Sequence, residues 1–296
     1  MHDRDCLRRF LFERYPIRGQ LVHLDAAWRA LIEHHAYPDS VRDLLGEAVA
    51  ATALLAGTIK FEGLLSLQVQ GPGSVHLLLA QCTDTLGVRG LARHRDEIDA
   101  AGVAGLVGAG QLSVTLESED RSRRYQGVVP VEGGRLADTL QRYFENSEQL
   151  STRLWLHADA RGASGMLLQK LPAEARRTSA ADEEIEDAWR RVQLIGETLT
   201  AEELATLADT EILRRLFHED DLRLFEAAPV YFRCRCSRER VSGMLHALGE
   251  EETRAVLAER GSVEVRCDFC DRAYQFDAID VGEIFQGTAS GGRSLH

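Results

Sequence analysis

The chain has 296 residues, of which 44% are hydrophobic and 28% charged, and its formal net charge at pH 7 is −12. This length suits about two globular domains, while the acidic balance argues against general binding to nucleic-acid phosphates. No apolar run approaches the roughly 18 residues that a membrane-spanning helix needs. The amino terminus lacks a signal-peptide pattern, so we expect a cytoplasmic protein whose thiols are kept reduced.

Residues 1–172 are predicted to form an α+β domain on a largely antiparallel sheet, because strand-like runs outnumber helical ones. The strand-like runs, separated by glycine-rich turns, cover residues 20–24, 64–69, 75–80, 86–92, 112–116, 125–131, 154–157 and 165–169. Helical runs cover residues 26–34, 40–58 and 136–148. Asp39 or Ser40 is expected to cap the second helix, and the glycine-rich residues 102–110 are predicted to be a loop.

Residues 173–228 differ in composition and are predicted to be a helical linker without strands. Residues 182–221 contain thirteen acidic residues and four arginines, and charge of one sign at this density repels itself. One apolar stripe of helical spacing comprises Ile185, Trp189, Val192 and Ile195. Thr200 and Glu203 have the spacing of a capping box at the start of a further helix. Because short helices are weakly stable alone, we expect a metastable linker that docks its apolar stripes on a neighbouring surface.

The clearest signal for function is a set of four cysteines within residues 229–296. Cys234 and Cys236 form one pair, and thirty residues later Cys267 and Cys270 form the second. Two close pairs joined by a spacer are typical of a four-thiolate zinc site, which needs four ligands in a tetrahedron. The first pair is unusual, since its cysteines are separated by a single residue. Unrelated cysteines, a plain disulfide and an iron–sulfur cluster remain as alternative interpretations.

A zinc ion would decide whether the predicted carboxy-terminal domain folds. A core of this size rarely supplies more than about 3–5 kcal/mol, whereas structural zinc contributes roughly 10–16 kcal/mol of apparent binding energy. Removal of the ion is therefore expected to unfold residues 229–296. Oxidation would remove the ion, since a sulfur in a disulfide is no longer a thiolate ligand, and closely spaced cysteines are a familiar redox arrangement. The pattern is compatible with a structural clip and with a redox switch.

Other residues around the cysteines carry weaker signals. Four arginines surround the first pair, and their charge would favour thiolates unless they simply face water. They are Arg233, Arg235, Arg238 and Arg240. Cys82, at the end of a predicted strand, is expected to be buried, whereas Cys6 is expected at the surface. Neither of these two cysteines receives a functional role.

No catalytic motif is evident, and we predict a non-enzymatic protein. A phosphate-binding Gly-x-x-x-x-Gly-Lys-Ser/Thr loop is absent, so nothing in the sequence indicates ATP use. A thiol oxidoreductase using Cys267 and Cys270 is disfavoured, because no thioredoxin-like context surrounds them. A zinc-ribbon-like binding protein of the transcription or translation machinery is the main alternative, against which the net charge of −12 argues.

Longer stretches of the sequence resemble one known family. Residues 232–241 (FRCRCSRERV), followed by residues 267–270 (CDFC) and Tyr274, are similar to the zinc-binding end of the 33 kDa heat-shock protein family. Further similar stretches are residues 11–13, 60–63, 143–150 and 165–169. One departure is Ser151, where the family pattern has proline before Thr152. The resemblance covers the whole chain, and the first cysteine pair with the Ser-Arg-Glu-Arg that follows it is the most specific part.

This resemblance implies a redox-regulated, ATP-independent holdase chaperone that binds unfolding proteins under oxidative stress in the bacterial cytoplasm. In the reduced monomer one zinc ion would be held by Cys234, Cys236, Cys267 and Cys270. Oxidation would form the redox-active disulfides Cys267–Cys270 and then Cys234–Cys236, release the zinc and unfold the linker. The oxidised chain would form a homodimer that holds clients until a downstream ATP-dependent chaperone system takes them. No catalytic residue, nucleic-acid partner or membrane contact is implied.

Overall fold

The computed structural model describes residues 4–98, 100–120, 122–172 and 182–286. The chain folds as two compact units, Met1–Arg233 and Cys234–His296. Residues 173–181, where the predicted linker begins, and residues 287–296 lie outside the described ranges. Within those ranges, no helix combines the length and the apolar composition needed to cross a membrane.

The first unit contains both strands and helices. Its strands are β1 (Cys6–Phe12), β2 (Ile17–Leu24), β3 (Gly63–Gln70), β4 (Val75–Thr83), β5 (Gly87–His94), β6 (Gln111–Ser118), β7 (Arg124–Pro130), β8 (Thr152–Ala158), β9 (Ala163–Lys170), β10 (Leu222–Leu224), β11 (Ala228–Pro229) and β12 (Tyr231–Phe232). Its helices are α1 (Ala26–Ile32), α2 (Asp39–Thr58), α3 (Gly102–Val107), α4 (Leu136–Tyr143), α5 (Asp182–Gly196), α6 (Ala201–Thr206) and α7 (Asp209–Phe217). A π-helical turn, Phe144–Glu148, follows α4.

Two sheets organise this unit. The first has the strand order β10-β1-β2-β9-β8, with β11 also paired to β1, and the second has the order β12-β5-β4-β3-β6-β7. Strand pairs in both sheets are antiparallel, apart from the parallel pair of β12 with β5. The predicted α+β class with a largely antiparallel sheet is therefore confirmed.

Helix α2 forms the centre of the larger core, because it contacts strands of both sheets. Its middle is rich in fully buried alanines, whose small side chains allow strands to approach from more than one side. Gly46 is required there, since a Cβ atom would lie 2.4 Å from the Cβ atom of Ala158. The capping prediction is wrong: Pro38 occupies the N-cap position without a side-chain bond, and Asp39 instead accepts a hydrogen bond from Arg42.

The linker helices, α5 to α7, cover the face of the first sheet opposite α2. Side chains alternate across a strand, so Ile17 and Leu21 of β2 face the linker helices, whereas Val22 and Leu24 face α2. We call the apolar cluster under these helices the linker-facing core; it comprises Phe10, Phe12, Ile17, Leu21, Trp155, Met166, Leu168, Ala188, Trp189, Val192, Leu199, Leu204, Ile212, Leu213, Leu216 and Phe217. The predicted capping box of Thr200 and Glu203 is confirmed at the start of α6.

Two expectations about local structure are wrong. Residues 173–228 contain strands, because β10 and β11 both pair with β1. The predicted loop contains α3, whose Val103, Leu106 and Val107 are buried in the larger core. The third predicted helix, residues 136–148, is confirmed in its extent; it is π-helical from Phe144 onwards, and Gln149 ends it in the left-handed region.

The second unit is small and has its own core. It contains α8 (Arg238–Leu248), α9 (Glu250–Arg260), β13 (Val263–Arg266), β14 (Ala273–Phe276) and α10 (Ala278–Gln286). The Ser237 side chain caps α8, and Gly261 ends α9 in the left-handed conformation that glycine favours. Its buried apolar side chains are Val241, Leu245, Val263, Tyr274, Phe276 and Val281. So few buried side chains give little apolar stabilisation compared with the first unit.

Candidate metal centre

Two segments of the second unit bring the four cysteines together. Cys234 and Cys236 precede α8, while Cys267 and Cys270 lie in the turn between β13 and β14. The turn is closed by the amides of Cys267, which donates to the Arg272 carbonyl at 3.1 Å, and of Asp271, which donates to the Cys267 carbonyl at 2.8 Å. Asp271 has a φ of 52°, which reverses the chain sharply within a few residues. We call these four residues the cysteine cluster.

The geometry of the cysteine cluster fits a metal ion. All four sulfur atoms lie within 4.8 Å of one another. The sulfurs of Cys234 and Cys267 are 3.5 Å apart, as are those of Cys236 and Cys270. Sulfurs bound tetrahedrally at about 2.3 Å from a zinc ion stand roughly 3.8 Å apart. The four free thiols are therefore spaced so that they can hold a metal ion.

The surroundings of the sulfurs make the thiols unequal. Burial raises the pKa of the Cys234 and Cys270 thiols above the ordinary value. Burial alone would do the same at Cys236, but the Tyr274 hydroxyl and the neighbouring thiols donate to its sulfur and lower its pKa to about 7. A bound metal ion would deprotonate a coordinating thiol outright.

Two of the arginines near the first cysteine pair have structural partners. Arg238 forms an ion pair with Asp280 at 2.7 Å, and its guanidinium lies 4.3 Å from the centre of the Phe276 ring. Arg240 donates to the Arg235 carbonyl at 2.8 Å. Arg238 and Arg240 therefore stabilise the fold of the second unit, and their positions offer no direct support for the predicted activation of thiolates.

The two remaining cysteines lie in the first unit. Cys82 is fully buried, as predicted, and burial raises the pKa of its thiol to about 12. The surface position predicted for Cys6 is wrong, because Cys6 is buried in β1 between β2 and β11. Such buried thiols are poorly reactive.

One polar cluster was not predicted from the sequence. Arg8, His23 and Asp209 meet between the first sheet and the linker helices. Because Asp209 lies far from the other two residues in the sequence, no local pattern predicts this contact. The available signal was His23, a polar residue within the apolar run of β2, but it did not indicate that Asp209 would be its partner.

Comparisons with known proteins agree with this architecture. The model of the family described as "Hsp33 protein" matches residues 5–277. The "33 kDa chaperonin" of Methylobacillus flagellatus is 45% identical over 282 residues, which cover 95% of this chain and 94% of that protein. The "33 kDa chaperonin" of Azotobacter vinelandii is 44% identical over 297 residues, which cover 99% of each.

A solved structure has the same fold. The crystal structure of the 33 kDa chaperonin from Thermotoga maritima matches with a TM-score of 0.81 and 22% identity, covering 96% of this chain and 99% of that one. The resemblance identified from residues 232–241 and the cysteine pairs is thus confirmed. The chain belongs to the Hsp33 family of chaperone proteins.

Proposed function

We propose that this chain is a redox-regulated, ATP-independent holdase that binds unfolding proteins under oxidative stress in the bacterial cytoplasm. Two features support the proposal beyond family membership. Four thiols gather in a unit with a small apolar core, and a large apolar sheet face lies beneath helices of an acidic segment. The first feature supplies a sensor, and the second supplies a surface that can be exposed. No catalytic residue is required.

We propose Zn²⁺ as the ion, with Cys234, Cys236, Cys267 and Cys270 as its ligands, one ion per reduced chain. Four sulfur donors gathered within 4.8 Å of one another suit zinc, which prefers thiolates and four-fold coordination. When bound, the ion supplies the stabilisation that the small core lacks. The ligands come from two separated segments of the second unit, so they join the segment before α8 to the β13–β14 turn.

Oxidation by peroxide would then act as the switch. One thiolate attacks a peroxide oxygen, which yields a sulfenic acid and releases hydroxide, and a second thiolate displaces another hydroxide from that sulfur to form a disulfide. Four thiolates thus consume two peroxide molecules and give two disulfides and four hydroxides. We propose the disulfides Cys267–Cys270 and Cys234–Cys236, after which no thiolates remain to hold the ion.

Release of the linker helices would produce the active state. Their apolar side chains and the sheet face below them are buried against each other in the reduced fold. Once separated, both surfaces offer aromatic and aliphatic side chains to unfolding clients. Exposed apolar area of this size also favours association, which supports a reduced monomer and an oxidised homodimer. Clients would pass to a downstream ATP-dependent chaperone system, since a holdase does not refold them.

The single observation that carries the proposal is the convergence of four sulfurs within 4.8 Å. The test follows light scattering of a heat-aggregating client enzyme with the zinc-loaded protein, before and after peroxide treatment at mild heat. We expect suppression of aggregation after oxidation and little before it. A Cys82→Ala variant is the matched control and should respond normally, because Cys82 lies in the other unit. Equal scattering in both redox states would contradict the proposal.

A further inference from the structure

Tyr274 places a hydroxyl group against one of the four sulfurs. It lies on β14 opposite Val265 of β13, and its side chain is buried in the small core, with 8% of its surface exposed. Its hydroxyl donates a hydrogen bond to the Cys236 sulfur at 3.1 Å. Strand pairing and packing hold the ring, so the hydroxyl position follows from the fold of the second unit.

The direction of this hydrogen bond is fixed once the sulfur is a thiolate. A thiolate has no proton to donate, so the Tyr274 hydroxyl is the donor and the Cys236 sulfur is the acceptor.

The hydrogen bond to Cys236 can be tested selectively. Backbone amides stay in place when side chains are substituted. The donor to Cys236 is a side-chain hydroxyl, so it can be removed by one substitution that keeps the ring.

We propose that Tyr274 is a positioning residue that lowers the nucleophilicity of the Cys236 sulfur and so protects it from electrophiles in the metal-bound state. This inference rests on the proposed zinc site. In that state all four sulfurs are thiolates, so the hydroxyl cannot change the fraction of thiolate and acts on reactivity alone. A donated proton draws charge from the sulfur, and thiolate nucleophilicity falls with basicity. Attack on an oxidant would then begin at the other cysteine pair.

The size of the effect follows from two general relations. A hydrogen bond to a charged group corresponds to about one to two pKa units of basicity. Thiolate reactivity changes with about 0.4–0.5 of that difference on a logarithmic scale. Removal of the hydroxyl should therefore speed reaction at Cys236 by about three- to tenfold.

The test compares full-length, zinc-loaded, reduced protein with its Tyr274→Phe variant. Each is treated briefly with limiting iodoacetamide, and the initial alkylation rate at every cysteine is measured by peptide mass spectrometry. Initial rates are needed because alkylation of one ligand weakens the hold on the others. We expect faster alkylation at Cys236 by the factor above, with Cys267 changed by less than about twofold. Tyr231→Phe is the control, since the Tyr231 hydroxyl contacts Thr85 in the other unit.

Two outcomes would overturn the proposal: an unchanged rate at Cys236, or equal acceleration at all four sulfurs, which would mean that Tyr274 only stabilises the unit. If Tyr274→Phe binds zinc weakly, the comparison is repeated with zinc in excess, and a selective increase at Cys236 is still expected. Absence of that increase would also overturn the proposal. Alkylation needs neither oxidant nor client, so a selective change at Cys236 stands even if the scattering test contradicts the holdase function.

Discussion

The carboxylate of Asp209, in the first turn of α7, lies 2.9 Å from Nδ1 of His23 on β2. Its other oxygen accepts a hydrogen bond from Arg8 of β1, also at 2.9 Å. The second ring nitrogen of His23 lies 2.9 Å from the Leu204 carbonyl of α6. His23 and Asp209 are both buried. A polar cluster therefore joins α6 and α7 to the first sheet at the edge of an apolar interface.

We expect Asp209→Asn to loosen the linker helices while the four thiols remain reduced. The substitution leaves Arg8 and His23 facing a neutral group, and loss of one partner of a buried ion pair costs about 3–5 kcal/mol. Hydrogen exchange should speed up in α6 and α7. Tryptophan emission should shift to longer wavelength, because Trp155 and Trp189 lie in the linker-facing core.

Asp187→Asn is the control for this substitution, because it removes an ion pair with Arg190 in which both side chains are mostly exposed. Exposed pairs contribute little, so neither signal should change. Zinc content must be the same in all three proteins. Unchanged exchange in α6 and α7 of Asp209→Asn would show that apolar packing alone holds the linker helices.

The pH dependence of stability should report on Glu47 of α2. Burial, and then the nearby charge of Asp43, raise the pKa of its carboxyl to about 7, although Arg135 acts in the opposite direction. Below its unfolded-state pKa the carboxyl is protonated in both the folded and the unfolded chain, so it costs the folded state no stability. As pH rises through about 7, the buried carboxyl must ionise and this stability is lost. Glu47→Gln should therefore stabilise the first unit at pH 8 by roughly 1–3 kcal/mol and have little effect at pH 4.5.

Thermal unfolding at the two pH values measures this effect. Glu97→Gln provides the matched control, because Glu97 is exposed and its loss should leave the melting temperature nearly unchanged at both values. A stabilisation by Glu47→Gln that is equal at pH 4.5 and pH 8 would assign the effect to packing or helix propensity and remove the titration argument.

Features that depend on residues close together in the sequence were predicted correctly. The spacing of the cysteine pairs identified the cluster, and the capping box located the start of α6. The strand β1 was missed because Arg8 and Arg9 interrupt its apolar alternation. Arg8 occupies the sheet face toward the linker helices only because Asp209 lies there to receive it. The residue pattern of β1 can therefore be interpreted as a strand only when the contact of Arg8 with Asp209 is known.

Helix α3 illustrates a different limit. Glycines at its start and middle lower helix propensity. The sequence therefore predicted a loop, despite the helical spacing of Val103, Leu106 and Val107. Burial of these side chains in the larger core overrides the local preference. The donors to the cysteine cluster were equally hidden, since the spacing of cysteines carries no information about the Tyr274 hydroxyl.

A chelator should unfold the second unit and leave the core around α2 intact. Structural zinc contributes roughly 10–16 kcal/mol, which exceeds what about six buried apolar side chains can supply at this domain size. Hydrogen exchange after zinc removal should become fast in α8, α9 and α10. Amides of α2 should keep their protection, because its core involves both sheets of the first unit. Retained protection in α8 to α10 without metal would mean that apolar packing suffices.

Peptide mapping of the oxidised protein should identify the disulfides Cys234–Cys236 and Cys267–Cys270, although two close sulfur–sulfur contacts run across the cluster. Cys234 lies 3.5 Å from Cys267, and Cys236 lies 3.5 Å from Cys270. These distances describe the compact reduced unit, in which a shared ion would hold the sulfurs. Once the first disulfide removes two ligands, the unit loses its main stabilisation, and closure of a short loop is favoured over closure of a long one. Cross-linked Cys234–Cys267 as the main product would mean that the unit stays folded throughout oxidation, and it would exclude the proposed unfolding step.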